Sequence, residues 1–418
     1  MSLLKVLSLN SISVLIKMIC LLVLNKVIAV NVGASGYATI GQFQNIIAIV
    51  ITIASAGVSG SVVKHTALYC DDDRTFASYL STVMTFCLVL CSLIALALYF
   101  LSEMIAIRFL YDESYSFYLK VLCFTLIFLV FNGLILSVIN GKEKTELFVM
   151  VSIYSSVFVL MYTSVLIYIY GLYGAIFSLV SSQSVIFILG VFYSVKYKVI
   201  DFSKLTLGIN KEHLNKTVSF SIMVIVPSVL WPITYSFIRD GLAQDLGLNY
   251  SGNWDGMWKF STIYLSLITT VLSIYYLPRL AKLVTKDEII KELVKGYQLV
   301  LPILTVICLS IFGFKQYIIE ILFSEDFILM GDLFAWQLIG DFLKITAWFI
   351  SYTFLARSFV KRQLIIETTL CLSFYFLTKV LVVKFGFVGV SISHAVNNFI
   401  MLIIVSIVFM KSNLERKE

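Results

Sequence analysis

Lys17, Asp341 and Lys344 are charges set inside long apolar runs. A charged group at the centre of a bilayer costs at least about 2.5 to 3.5 kcal/mol on insertion scales, so such residues are expected to face a protein interior or a watery cavity. Lys17 shares a helical face with Asn10 and Ser13, at i, i+3 and i+7. It lies about ten residues into its run, roughly 15 Å deep at 1.5 Å per residue. An ammonium there offers an anion contact, and the alternative is a pairing with a distant acid. Asp341 and Lys344, at i, i+3 behind Gln337, leave two readings open: mutual neutralisation, or a role in holding a substrate or taking up a proton.

Further polar residues fall in stripes. They are Asn45, Thr52, Ser55 and Ser59; Ser228, Trp231, Tyr235 and Arg239; and Trp258, Thr262, Ser266, Thr269 and Ser273. Together with Lys17 they are expected to line a hydrated, cationic cleft. Each hydroxyl has a plainer alternative, a bond to its own helix backbone or to a neighbouring helix. Lys26 sits nine residues from Lys17, on the opposite face, and snorkelling to the interface explains it equally. Arg239 ends its run, as an interfacial anchor or as an anion contact. Ser391, His394 and Asn398 share one face, and a histidine in that setting is more often a packing residue than a functional one.

The elements that position these groups are membrane spans. Of 418 residues 60% are hydrophobic and 13% charged, and the mean hydropathy is +0.97. Soluble domains hold roughly 45 to 50% apolar and about 25% charged residues, so an ordinary soluble protein is excluded. At about 20 apolar residues per span, the chain reads as an all-α polytopic membrane protein with about twelve helices: 7–30, 40–63, 79–101, 118–139, 147–169, 173–195, 217–238, 257–278, 297–314, 333–356, 363–383 and 386–410. Pro227, Pro232, Pro278 and Pro302, in or beside spans seven to nine, predict bent or broken helices. The seven cysteines fall almost wholly inside spans and are expected to pack rather than to pair. The first apolar run is too long for a signal peptide.

The N-terminus, the even-numbered loops and the C-terminus carry 21 lysines and arginines, from Lys5 and Lys64 to Arg416 and Lys417. The alternate loops offer only Arg108, Arg239, Lys315 and Lys384, beside acids that include Asp245, Asp255, Glu325 and Asp326. The cation bias places both termini in the cytoplasm. The net charge of +7 therefore needs no nucleic-acid partner.

The two halves match at an offset of about 216 residues. Gly36 and Phe43 correspond to Gly252 and Lys259, the Asp71–Asp73 loop to Asp287 and Glu288, and Gly171-Leu-Tyr-Gly174 to Gly386-Phe-Val-Gly389. Six spans per repeat predict two six-helix bundles related by a pseudo-two-fold axis along the membrane normal. The expected boundaries are 1–198, a cytoplasmic linker 199–216, and 217–418.

No phosphate-binding glycine loop, His-Glu-x-x-His pair or metal-spaced cysteine set is found, and no cofactor is expected. A membrane-embedded polymerase or ligase would carry a large periplasmic loop, and none here exceeds about twenty residues. The chain reads as a transporter rather than an enzyme, with a purely structural assembly partner as a further reading.

Several stretches resemble one family. They are Met1-Ser-Leu-Leu-Lys5, the Lys17 and Lys26 pair, Gly33 and Gly36, Ala56-Gly-Val-Ser-Gly-Ser-Val-Val-Lys64, Tyr276-Leu-Pro-Arg-Leu280 with Lys295 and Leu301-Pro302, and above all Leu333-Phe-Ala-Trp-Gln-Leu-Ile-Gly-Asp-Phe-Leu-Lys344. Along its whole length the chain resembles the Wzx-type flippases of the multidrug/oligosaccharidyl-lipid/polysaccharide exporter superfamily. The resemblance implies a MATE-like fold in the bacterial inner membrane. It also implies transfer of undecaprenyl-diphosphate-linked oligosaccharide to the periplasmic leaflet by alternating access, among membrane lipids and beside a polysaccharide polymerase and chain-length regulator. It assigns cavity roles to Lys17, Lys26, Arg239 and Lys344, to which the stripes add Asn45 and Trp258, with Asp341 for proton coupling. Gln44 and Arg279 depart from the common-antigen members, which favours an O-antigen unit as cargo. The rival is a cation-coupled multidrug exporter of the same fold, which would set a lumenal acid among apolar walls.

Overall fold

The computed structural model describes residues 3–70, 72–272, 276, 279, 280, 283, 285–357 and 359–412, with side chains from residue 12 onward except at 219, 220, 222–224, 271 and 360. Met1, Ser2, Asp71, Ser273, Leu277, Pro278, Lys282, Arg416, Lys417 and the side chains of Lys5 and Asn10 lie outside the described residues. Among the described residues the regular elements are helical: α1 (Leu3–Ala54), α2 (Ser59–Leu68), α3 (Asp73–Ile105), α4 (Ser116–Gly141), α5 (Thr145–Lys196), α6 (Lys211–Asp245), α7 (Leu248–Val271), α8 (Lys286–Gly313), α9 (Lys315–Leu322), α10 (Phe334–Ala356), α11 (Val360–Phe385) and α12 (Gly389–Lys411). This is a multi-pass, all-α membrane protein.

Among the described residues seven stretches are long and apolar enough to cross a membrane: Ile12–Ala54, Asp73–Leu110, Glu113–Gly141, Thr145–Lys196, Lys286–Gly313, Phe334–Ala356 and Lys361–Lys411. Three of these are double. At about 1.5 Å per residue, a helix of some fifty residues would far exceed a 30 Å hydrocarbon core, and each is interrupted by a glycine at positive φ: Gly33 (64°), Gly171 (57°) and Gly386 (62°). The α6 and α7 helices, less apolar, complete the twelve expected spans.

The breaks at Gly171 and Gly386 are chain reversals built the same way. A Cβ on Gly174 would lie 2.0 Å from the carbonyl oxygen of Leu166, and one on Gly389 would lie 2.2 Å from that of Leu381. Residues eight apart in a straight helix are separated by about 12 Å, so in both cases the chain has folded back. The Ser178 hydroxyl donates to Ala175 O (2.7 Å) and the Ser393 hydroxyl to Val390 O (2.6 Å). Every member of one hairpin stands 215 residues from its counterpart, so the sequence repeat is a repeat of backbone geometry.

Three expected spans differ in extent. Residues 40–63 are not one helix, because Ala56 and Gly57 take positive φ (47° and 58°) between α1 and α2. The Cys91 and Cys87 thiols approach Ala54 O and Ser55 O at 3.9 Å, beside the carbonyls this break frees. The α7 helix begins at Leu248 rather than 257, with Asp255 inside it and only 1% exposed, not in an outward loop. The α8 helix begins at Lys286, where Thr285 and Glu288 form a capping box. Pro227 and Pro232 lie inside α6 and Pro302 inside α8.

Two compact units are present: Met1–Val32 with Thr39–Ile233, and Gly33–Ala38 with Thr234–Glu418. The short segment is built into the second unit. Tyr37, fully buried, packs edge-on to Phe327 at 5.3 Å and Phe323 at 6.2 Å. Gly252 admits the chain because a Cβ there would stand 1.8 Å from Ala34 O.

Candidate functional site

In the second unit, α10 carries Gln337, Asp341, Lys344 and Trp348 on one face, at i, i+4, i+7 and i+11. The facing residues come from α7 (Trp254, Trp258, Ser261 and Tyr264) and α12 (His394 and Asn398). Asp341 is fully buried. It accepts hydrogen bonds from the Ser261 and Tyr264 hydroxyls on Oδ2, and His394 Nε2 lies 2.9 Å from Oδ1. Asn398 Nδ2 donates to His394 Nδ1 (3.2 Å) and to His394 O (2.8 Å). A ring proton on Nε2 would point at Asp341 and leave Nδ1 to accept from Asn398. The approach depends on Gly340, where a Cβ would come 2.3 Å from His394 Cδ2.

Lys344 does not form an ion pair with Asp341 among the described residues. Its ammonium lies over Trp258 (5.2 Å) and Trp348 (5.0 Å), half-buried between two indole faces. Trp258 is fixed in turn by Tyr235 (4.6 Å), Phe374 (6.2 Å, stacked) and an edge contact to His394 (5.3 Å). A cation held by ring faces keeps its charge available to an anion.

A second cluster adjoins through Trp254, 6.0 Å from Trp258. Arg239 is 5% exposed and bonds Asp255, whose other oxygen is 3.1 Å from Lys259 Nζ. Lys259 also lies 4.0 Å over the ring of Tyr37, and Arg239 lies 5.9 Å from the ring of Trp254. Two cations share one buried acid, and removing either partner of such a pair is costly.

Of the residues singled out in the sequence, Lys344, Trp258 and Asp341 come together, with Arg239 in the neighbouring cluster of the same unit. Lys17, Lys26 and Asn45 belong to the first unit, all half-buried. Lys17 lies 5.7 Å over the ring of Phe148. Several striped hydroxyls bond their own helix: Ser55 to Thr52 O (3.3 Å), Thr262 to Trp258 O (2.9 Å), Ser266 to Ile263 O (2.6 Å) and Thr269 to Ser266 O (3.0 Å). The partnership of Asp341 with His394, Ser261 and Tyr264 had no sequence signal, whereas Asp255 and Lys259 at i, i+4, and Lys344 and Trp348 at i, i+4, were legible as helical neighbours. Among the described residues no group of three His, Cys, Asp or Glu side chains stands ready to hold a metal ion.

Residues 3–284 match the polysaccharide biosynthesis protein family. The chain belongs to that family. The resemblance to Wzx-type flippases of the exporter superfamily is thereby borne out. Lipid III flippases of Escherichia coli (strain K12) and Shigella flexneri are each 25% identical over 357 residues, 85% of this chain and 86% of theirs. Among solved structures, an inward-facing multidrug resistance MATE family transporter matches with a TM-score of 0.74, at 14% identity over 94% of both chains. The lipid II flippase MurJ in an inward closed conformation matches at 0.72, with 14% identity over 97% of this chain and 87% of that one. The polysaccharide biosynthesis family member described here thus has the MATE-like fold expected from its sequence.

Proposed function

We propose that this protein is a flippase, a transporter and not an enzyme, that carries a lipid-linked oligosaccharide from the cytoplasmic to the periplasmic leaflet of the bacterial inner membrane. The observation that carries the reading is the similarity to lipid III flippases along 85% of the chain. The physical problem is that a charged lipid-linked sugar cannot cross hydrocarbon without replacing its hydration. Cations held inside the spans, Lys344 between its tryptophans and Lys17 beside Phe148, are suited to replace it.

The finer proposal is that the cargo is an undecaprenyl-diphosphate-linked O-antigen unit, moved by alternating access of the two halves, with both termini cytoplasmic. Lys17, Lys26 and Lys344 contact the anionic part of the cargo, with Asn45 and Trp258 lining its path. Arg239 acts from within its pair with Asp255, and Asp341 takes up the proton that couples the cycle. A polymerase and a chain-length regulator then use the product.

Deletion of the gene, followed by assay of surface polysaccharide and of the sidedness of lipid-linked units, tests this. Loss of polymer with single units trapped on the cytoplasmic leaflet is expected. Loss of O-antigen alone, or of common antigen alone, identifies the cargo. Normal polymer with altered drug resistance would replace the flippase reading with that of a multidrug exporter.

A further inference from the structure

Between α5 and α6 the chain holds only one short 3-10 turn, Phe202–Lys204, yet it is tied down at every second residue. The backbone N–H groups of Thr206, Gly208 and Asn210 donate to Ser81 Oγ (3.1 Å), Thr85 Oγ1 (3.2 Å) and Thr82 Oγ1 (3.1 Å). Those hydroxyls cluster on one face of α3, at i, i+1 and i+4. Two of them are aimed: Thr82 and Thr85 spend their own protons on Ser78 O (2.9 Å) and Ser81 O (2.8 Å), which turns their lone pairs toward the strap. Lys204 adds an ion pair to Asp73 at 2.8 Å, in the first turn of α3.

The strap runs straight into a helix start that is anchored to the same element. Asn210 Oδ1 accepts from the N–H groups of Glu212 (2.9 Å) and His213 (3.4 Å), beginning α6. His213 stands edge-on to the Tyr79 ring of α3 at 5.6 Å, and Thr217 Oγ1, which donates to His213 O at 2.9 Å, lies 3.5 Å from Tyr79 Oη. Val199 and Ile200 bury the start of the strap, whereas Leu207 is 81% exposed and Ile209 is exposed too, so residues 206–210 are held by polar contacts rather than by burial of their own side chains. The first compact unit accordingly extends through the strap and most of α6. Apart from the Gly33–Ala38 segment, the chain passes to the second unit between Ile233 and Thr234, just after Pro232. A proline inside a helix lacks the amide donor and crowds the preceding turn, so the helix gives up a backbone hydrogen bond at that point.

We propose that the strap is a permanent latch on α3, and that the chain's joint after α5 during the working cycle is the Pro227–Pro232 stretch of α6 rather than the 199–216 linker. The joint rests on the transport reading; the latch does not. One test joins Ser81→Cys to Thr206→Cys by oxidation in membranes. Ready cross-linking, with export within about twofold of the reduced protein, is expected of a latch outside the moving joint. Arrest of export on oxidation, restored by reduction, would show that the strap moves and overturn the proposal.

Hydrogen exchange on the purified protein is independent of any cargo. The amides of Thr206, Gly208 and Asn210 should exchange at least about tenfold more slowly than in a free peptide, and the S81A/T82V/T85V variant should lose that protection. Amides flanking Pro232 should exchange faster than those of residues 214–218. Unprotected strap amides in the unmodified protein would refute the latch, and the reverse order along α6 would refute the joint. If the unmodified protein moves no lipid-linked sugar, the flippase reading fails while the exchange pattern still decides both points.

Discussion

His394 and Asp341 lie 2.9 Å apart inside the second unit, though 53 residues separate them in the chain. The contact exists because Gly340 has no side chain to hold α12 away from α10. It leaves Lys344, one turn from Asp341, without the acid that its spacing promised, and turns the ammonium onto two tryptophans instead. One glycine thus separates the carboxylate from the cation.

Gly340→Ala should push His394 off Asp341. Overpacking of this kind costs about 1 to 3 kcal/mol, to be read as a lower unfolding temperature in detergent. A double-mutant cycle between Asp341→Asn and His394→Gln should give a coupling of about 0.5 to 3 kcal/mol. Strictly additive losses would mean that the pair does not interact.

The two hairpins should respond alike. Gly174→Ala and Gly389→Ala each place a methyl against a backbone carbonyl that cannot move without the whole turn, and Gly171→Ala and Gly386→Ala each force a positive φ on alanine. Strain of this sort costs about 1 to 3 kcal/mol per site. Thermal unfolding of the four variants checks this, and a large loss in one half with none in the other would contradict the equivalence.

Lys344→Ala and Lys17→Ala should each reduce export about tenfold or more while the protein remains in the membrane, because a cation in the spans has no water to stand in for it. Lys344→Arg should retain more export than Lys344→Ala, since a guanidinium also stacks on indole. Full export by Lys17→Ala, scored by surface polymer per unit of membrane protein, removes Lys17 from the site.

Acidification should loosen the junction of α3 and α6. His213 lies just outside the span of α6, and burial, reinforced by the Lys216 charge, lowers its pKa below the ordinary 6.5. The unfolded chain therefore binds more protons in the window below 6.5, and stability rises with pH there. Unfolding temperatures measured between pH 5 and 7 should climb with pH in the unmodified protein and climb less in His213→Gln. Equal slopes would assign the dependence to other groups.

The latch on α3 was invisible in the chain for a physical reason. Residues 196–216, with five lysines, read as a basic linker, and backbone amides, which do the holding, are the same in every sequence. Their acceptors, Ser81, Thr82 and Thr85, read as unremarkable span hydroxyls until α3 and the strap lie side by side.

What the sequence by itself determined is what depends on neighbours along the chain. Apolar runs of span length, the glycines at 171 and 386 that reverse the chain, and the repeat that relates them follow from local geometry and hydrophobicity. Only the tertiary structure decided which polar groups meet: Asp341 with His394 rather than with Lys344, Asp255 with Arg239 as well as with its helical neighbour Lys259, and Tyr37 from α1 within the second unit. A buried charge must find compensation, but any complementary group brought within reach satisfies that demand. Which one does so is set by the packing of helices far apart in sequence.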